Sequence, residues 1–168
     1  MTSDHKDAAT LERIKTSAKA DLYRELADAI GGITEGEPDA IANMANAAAL
    51  IWEYLPDINW AGFYRVVGDE LVLGPFQGRS ACIRIAFGKG VCGAAAATRA
   101  TQLVKDVHAF EGHIACDAAS ASEIVVPIIV GERLVGVLDI DSPTVARFDE
   151  DDRAGCEALV ARLAGRVG

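Results

Sequence analysis

The chain has 168 residues, 51% of them apolar and 24% charged, with a formal net charge of −9, a balance that suits one globular domain with a sizeable core and leaves too little chain for two. It excludes a disordered polymer, and the absence of an apolar run near ~18 residues excludes a spanning helix. The acidic excess also argues against nucleic-acid or membrane partners, because Arg79, Arg84, Lys89 and Arg99 are scattered along the sequence and form no basic patch.

The opening stretch "MTSDHKDAATLERIKTS" has no apolar segment of the export-signal kind. The chain is therefore expected in the reducing cytoplasm, where a disulfide formed among its four cysteines is transient and catalytic. Residues 1–15 read as a flexible polar extension and 16–168 as a single domain. From Thr16 to about Ile30, Leu22, Leu26 and Ile30 recur at helical spacing until Gly31-Gly32 stops the pattern. A second helix is expected to start at Pro38, a good first-turn residue, and to run through Ile41, Met44, Ile51 and Leu55 to Pro56. "NWAGFYRVV" and "ELVLGPF" then flank Val67-Gly68-Asp69 as a β-hairpin, followed by a strand "ACIRIAF" that carries Cys82. "GKGVCGAAAATRA" is a glycine-rich entry into a short helix bearing Cys92, and "TQLVKDV" is again a strand. The segment from His108 to Ser122 has no clear period, and a loop of that length in a small domain is usually functional. "EIVVPIIV" and "RLVGVLDID" form a second hairpin about Gly131-Glu132, and "FDEDDRAGCEALVARLAG" closes the chain as a helix with Asp149 as N-cap. The expected architecture is α+β: a central, mostly antiparallel sheet with helices packed on one face and long pocket-forming loops.

Chemistry concentrates in the second hairpin and the loop before it. Strand alternation puts Val135, Val137, Asp139 and Asp141 on one face and Gly136, Leu138 and Ile140 on the other. The two aspartates are then roughly 6.5–7 Å apart along the strand. Antiparallel pairing about Gly131-Glu132 brings Glu123 opposite this region, so three carboxyl groups converge. Such a cluster either holds a cation or keeps one carboxyl protonated as a general acid. Cys116 stands apart from packing cysteines, in the small and polar loop "GHIACDAAS". Cys82, Cys92, Cys116 and Cys156 are 10, 24 and 40 positions apart, with no C-x-x-C pair. A zinc site from Cys82, Cys92, Cys116 and His108 or His113 stays open as an alternative, although both histidines suit loop ordering. Cys156, at helical spacing with Leu159, Val160 and Leu163, reads as core. Carboxylates raise a thiol's pKa, so a reactive Cys116 near them suits a substrate that brings its own positive charge and needs a proton on its reacting group.

The segments "NWAGFY", "GPFQG", "GKGVCG", "DVHAFEGHIACDAAS", "SEIVVP" and "GVLDIDSP" together resemble the free methionine-(R)-sulfoxide reductases, single-domain enzymes of GAF fold, from about Asp21 to Leu163. The resemblance implies Cys116 as the attacking cysteine, Cys82 as its principal resolving partner and Cys92 as an auxiliary one. It also implies a catalytic contribution from Glu123 and Asp141, and a substrate pocket of Trp60, Tyr64, Glu123, Asp139 and Asp141. In that reading the thiol takes the sulfoxide oxygen and becomes a sulfenic acid, which condenses to a disulfide that a thioredoxin-type partner reduces. No bound cofactor or metal is implied, and a homodimer is. The alternative is a non-catalytic GAF domain that binds a small molecule as a sensor.

Overall fold

Two glycines decide where the central sheet turns. Gly68 and Gly131 sit at φ +65° and +63°, backbone that glycine adopts without the clash a Cβ would cause. They open two-residue loops joining β1 (Trp60–Val67) to β2 (Glu70–Gly78) and β5 (Ser122–Val130) to β6 (Arg133–Ser142). The computed structural model describes residues 8–112 and 119–168, with side chains from Ala18 onward. Two short strands, β3 (Arg84–Ala86) and β4 (Gln102–Val104), complete a six-stranded sheet in the order β3-β2-β1-β6-β5-β4. Every pairing in it is antiparallel.

Three long helices cover one face. The first, α1 (Ala8–Ile33), begins ahead of the expected Thr16 because Ala8-Ala9-Thr10-Leu11-Glu12 contains no breaker. The second, α2 (Ala40–Tyr54), starts after Pro38, because the Asp39 side chain caps it by accepting from the Ala42 N–H at 2.8 Å. Leu26 and Ile30 of α1, Met44 and Ile51 of α2, and Cys156, Leu159 and Leu163 of the C-terminal helix form one core with Phe63, Ile124, Ile128, Leu138 and Ile140 of the sheet. The opposite face carries a second cluster, in which Tyr64, Val125 and Val137 meet α3 (Gly90–Thr98). The last helix, α4 (Glu150–Val167), is capped by Asp149 as expected, with Asp152 returning a bond to the cap backbone. No helix among the described residues is long and apolar enough to cross a membrane.

Two local expectations change. Cys82 lies in irregular chain ahead of β3, which is only three residues long. The pairing of β3 with β2 covers Glu70–Val72 opposite Arg84–Ala86, and ahead of it one further backbone bond runs from the Leu73 N–H to the Ile83 carbonyl at 2.9 Å. Val135 does not share the face of Val137, Asp139 and Asp141, but joins the helix-side core. A bulge causes this: Ile128 pairs with Gly136 and Ile129 with Leu134, so Val135 is the extra residue and alternation slips past it. Beyond Gly136 the alternation holds to the end of the strand. Gly136 is required there, since a Cβ would lie 2.3 Å from the Tyr64 carbonyl oxygen.

Candidate active site

Alternation on three central strands aims one set of side chains away from the three-helix core. Trp60 and Tyr64 come from β1, Glu123 from β5, and Asp139 and Asp141 from β6. Register brings them level, because Asp141 pairs with Trp60 on one side and Glu123 on the other, and Asp139 with Gly62 and Val125. These five residues line one pocket with Ser80, Ala81, Ile85, Ser120 and the segment Lys89–Cys92.

The first turn of α3 closes the pocket against the sheet. Gly93 allows the approach, since a Cβ there would meet the Ala86 carbonyl oxygen at 2.5 Å. Cys92 is thereby buried with its Sγ 3.9 Å from Glu123 Oε1, and the Cys92 sulfur and one carboxylate oxygen each of Glu123 and Asp139 all lie within 4.8 Å of one another. Trp60 forms the apolar wall. Its indole N–H donates to the Arg79 carbonyl at 3.0 Å, and its ring stacks on Phe76 at 5.2 Å and on Tyr64 at 6.0 Å. Gly78, at φ +129°, leaves room for that indole, because a Cβ would sit 2.7 Å from Trp60 Cδ1.

Burial sets the electrostatics. Glu123 and Asp139 are 7% and 6% exposed. Burial first, and the Asp139 and Asp141 carboxylates second, push the Glu123 carboxyl well above the usual carboxylate range. Burial raises Asp139 to about 6, against hydrogen bonds with Glu123 and Cys92 that act the other way. The Cys92 thiol is pushed up by burial and then by the same carboxylates. Tyr64 rises for the same two reasons. Its hydroxyl donates to the Cys82 carbonyl at 2.9 Å and so holds the Cys82 backbone at the pocket's edge. Cys92 at rest is therefore a thiol, and at least one carboxyl of the cluster keeps a proton near neutrality.

The four cysteines separate by state and place. Cys82 is half-buried and disulfide-bonded, while Cys92 and Cys156 are free. Cys116 and His113 lie outside the described residues. Cys156 is fully buried in the helix-side core with its sulfur 3.7 Å from the Tyr23 hydroxyl, and burial raises it to about 12. His108 sits in a 3₁₀ turn (Val107–Ala109) after β4, and Asp106 caps that turn through the His108 N–H. Among the described residues the metal-capable cluster contains neither Cys82 nor His108. Sequence reasoning passed over Ser80, Ser120 and Lys89, and the signal for Lys89 was available: "GKG" opens a helix. No side chain of the described residues caps α3, so its N-terminal amides add partial positive charge at the turn that carries Cys92, and Lys89 lines the same pocket.

A GAF-domain family model matches residues 41–165. The free methionine-R-sulfoxide reductase of Escherichia coli is 52% identical over 145 residues, 86% of this chain and 88% of that protein. The enzyme of the same name from Saccharomyces cerevisiae is 46% identical over 149 residues, 84% of this chain and 83% of the relative. Among solved structures, the free methionine-R-sulfoxide reductase from Neisseria meningitidis in complex with its substrate is similar with a TM-score of 0.86 and 48% identity, over 89% of this chain and 90% of that one.

Proposed function

The chain belongs to the GAF-domain family of free methionine-R-sulfoxide reductases, oxidoreductases by their chemistry, and from that premise we propose that it reduces free L-methionine-(R)-sulfoxide to L-methionine with Cys116 as the attacking thiol. The observation that carries the reading is a buried carboxyl cluster facing an indole wall in one pocket. Trp60 takes the S-methyl end, and Asp139 and Asp141 take the α-ammonium. Lys89 and the uncapped N-terminus of α3 take the α-carboxylate. This zwitterionic match selects the free amino acid, because a peptide-linked residue lacks both charges.

In the reaction the Cys116 sulfur attacks the sulfoxide sulfur while Glu123, kept protonated by its surroundings, gives its proton to the sulfoxide oxygen. Attack forms a sulfur–sulfur bond between Cys116 and the substrate. The S–O bond then breaks as the protonated oxygen passes to the Cys116 sulfur, and the sulfur–sulfur bond breaks to release methionine as the thioether and leave Cys116 as a sulfenic acid. Cys82 condenses with it, water departs, and the resulting disulfide is reduced by an external dithiol of the thioredoxin type. The pattern of one oxidised cysteine at the pocket edge, Cys82, with Cys92 and Cys156 free supports Cys82 as first resolving partner and Cys92 as reserve. No bound cofactor enters this scheme. The setting is the cytoplasm, and the enzyme acts as a homodimer, for which the exposed Ile41 and Trp52 of α2 offer an apolar contact; light scattering tests that assembly.

The function is tested by NADPH oxidation coupled through thioredoxin and its reductase, offering the free (R) substrate, its (S) epimer and a peptide-bound sulfoxide. Turnover of the free (R) form alone, lost in Cys116→Ser, is expected. Absence of turnover from reduced, folded protein leaves a GAF ligand sensor as the better reading.

A further inference from the structure

We infer that Cys92, Glu123 and Asp139 constitute a binding site for a borderline-soft divalent cation of the zinc class. Their ligand atoms lie within 4.8 Å of one another with no rearrangement of the chain, and the Cys92 Sγ to Glu123 Oε1 separation is 3.9 Å. A tetrahedral zinc ion with ordinary Zn–S and Zn–O bonds needs a sulfur-to-oxygen edge of about 3.6 Å. A shift of a few tenths of an ångström therefore closes that edge.

A second, independent observation points to a ligand. Asp139 is 6% exposed, yet its Oδ1 has no hydrogen-bond partner among the described residues. A buried carboxylate oxygen left bare costs free energy unless something else occupies its lone pairs. The three residues also stand on rigid elements, with Cys92 in the first turn of α3, Glu123 on β5 and Asp139 on β6 at the centre of the sheet. Little ordering entropy opposes coordination. One thiolate with two carboxylates favours zinc or cadmium over magnesium or calcium, which take all-oxygen shells. Coordination exchanges the thiol proton for the metal, Cys–SH + M²⁺ giving Cys–S–M⁺ + H⁺, without oxidation or reduction.

The site does not use Cys82, which is oxidised while Cys92 stays free, so it is available with that disulfide formed. Its consequence for turnover rests on the proposed activity: a cation there occupies the carboxyl groups that hold the substrate ammonium and supply the proton, and competes with sulfoxide.

Cobalt(II) is the probe, titrated into reductant-free protein with the Cys82 disulfide intact. The expected result is a one-to-one thiolate-to-cobalt charge-transfer absorption in the near ultraviolet, displaced by zinc. It is absent in Cys92→Ser, weakened at least about tenfold in affinity in Asp139→Asn and Glu123→Gln, and unchanged in Cys156→Ser. No such absorption in the wild type, or undiminished absorption in Cys92→Ser, overturns the assignment. Should Cys92→Ser fail to fold, the two amide variants decide, since wild-type affinity in both excludes the carboxylates as ligands. This readout needs no turnover, so it stands or falls separately from the proposed reaction. Under the coupled assay, zinc is expected to raise KM for the sulfoxide in wild type and to lose most of that effect in Cys92→Ser.

Discussion

Asp139 shows what a buried carboxyl costs a fold. Its carboxyl titrates at about 6 in the folded chain against 3.8 when exposed. Below about pH 4 both states are protonated and there is no penalty. Between about 4 and 6 the unfolded chain ionises while the folded one does not, so stability falls as pH rises and levels off above 6. Asp139→Asn is accordingly expected to be more stable than wild type at pH 8, by roughly 1–3 kcal/mol, with the gap closing at pH 4. Urea unfolding at the two values measures it, and equal gaps at both would contradict the buried-charge account. Under the proposed reaction Glu123→Gln keeps the shape and removes the proton, so kcat is expected to drop by about 10²–10⁴. In wild type kcat should decline with rising pH as Glu123 loses that proton, and a decline that persists unchanged in Glu123→Gln would assign the donor elsewhere. That three carboxyl groups meet was legible from alternation and hairpin register. How far each is shifted was not, because desolvation depends on what α3 places above them.

Elements divide the labour between the two faces of the sheet. On the helix side, Asp152 is 1% exposed and takes bonds from the Tyr23 hydroxyl at 2.8 Å, Lys19 at 2.7 Å and Arg147 at 3.3 Å. It also completes the cap of α4 by accepting from the Asp149 N–H. One carboxylate thus ties α1 to the start of α4. Asp152→Ala strands these partners and is expected to cost about 3–5 kcal/mol, which for a chain of this size lowers Tm by roughly 6–20 °C. Because no pocket residue is touched, KM for the substrate should stay within error below the transition, and a raised KM would show that the helix layer shapes the pocket. On the other face the β6 bulge shifts Val135 into the helix-side core and leaves Asp139 and Asp141 aimed at α3. A two-residue repeat in sequence cannot announce such a slip, which follows from β5 supplying one fewer residue than β6 at that point.

Across the whole molecule, the pocket gathers Glu123, Asp139 and Asp141 with Lys89 among its lining, and under the proposed function it reads the charges of the ligand as well as its sulfur. N-acetyl methionine sulfoxide, which keeps the sulfoxide and loses the ammonium, is therefore expected to lose at least about 10² in kcat/KM; comparable turnover would mean that the carboxyl groups do not bind the ammonium. The sequence by itself determined the elements, the hairpin turns, the core helix around Cys156 and the convergence of Glu123, Asp139 and Asp141. Those depend on periodicity and glycine placement, which act over a few residues. Only the tertiary structure decided that Cys92 lies beside Glu123 and Asp139, that Lys89 shares their pocket and that Cys82 sits outside its strand. The first two depend on how α3 settles on the sheet, where Cys92 meets Glu123 from more than 30 positions away, and the third on how far β3 pairs with β2, neither of which a local pattern encodes.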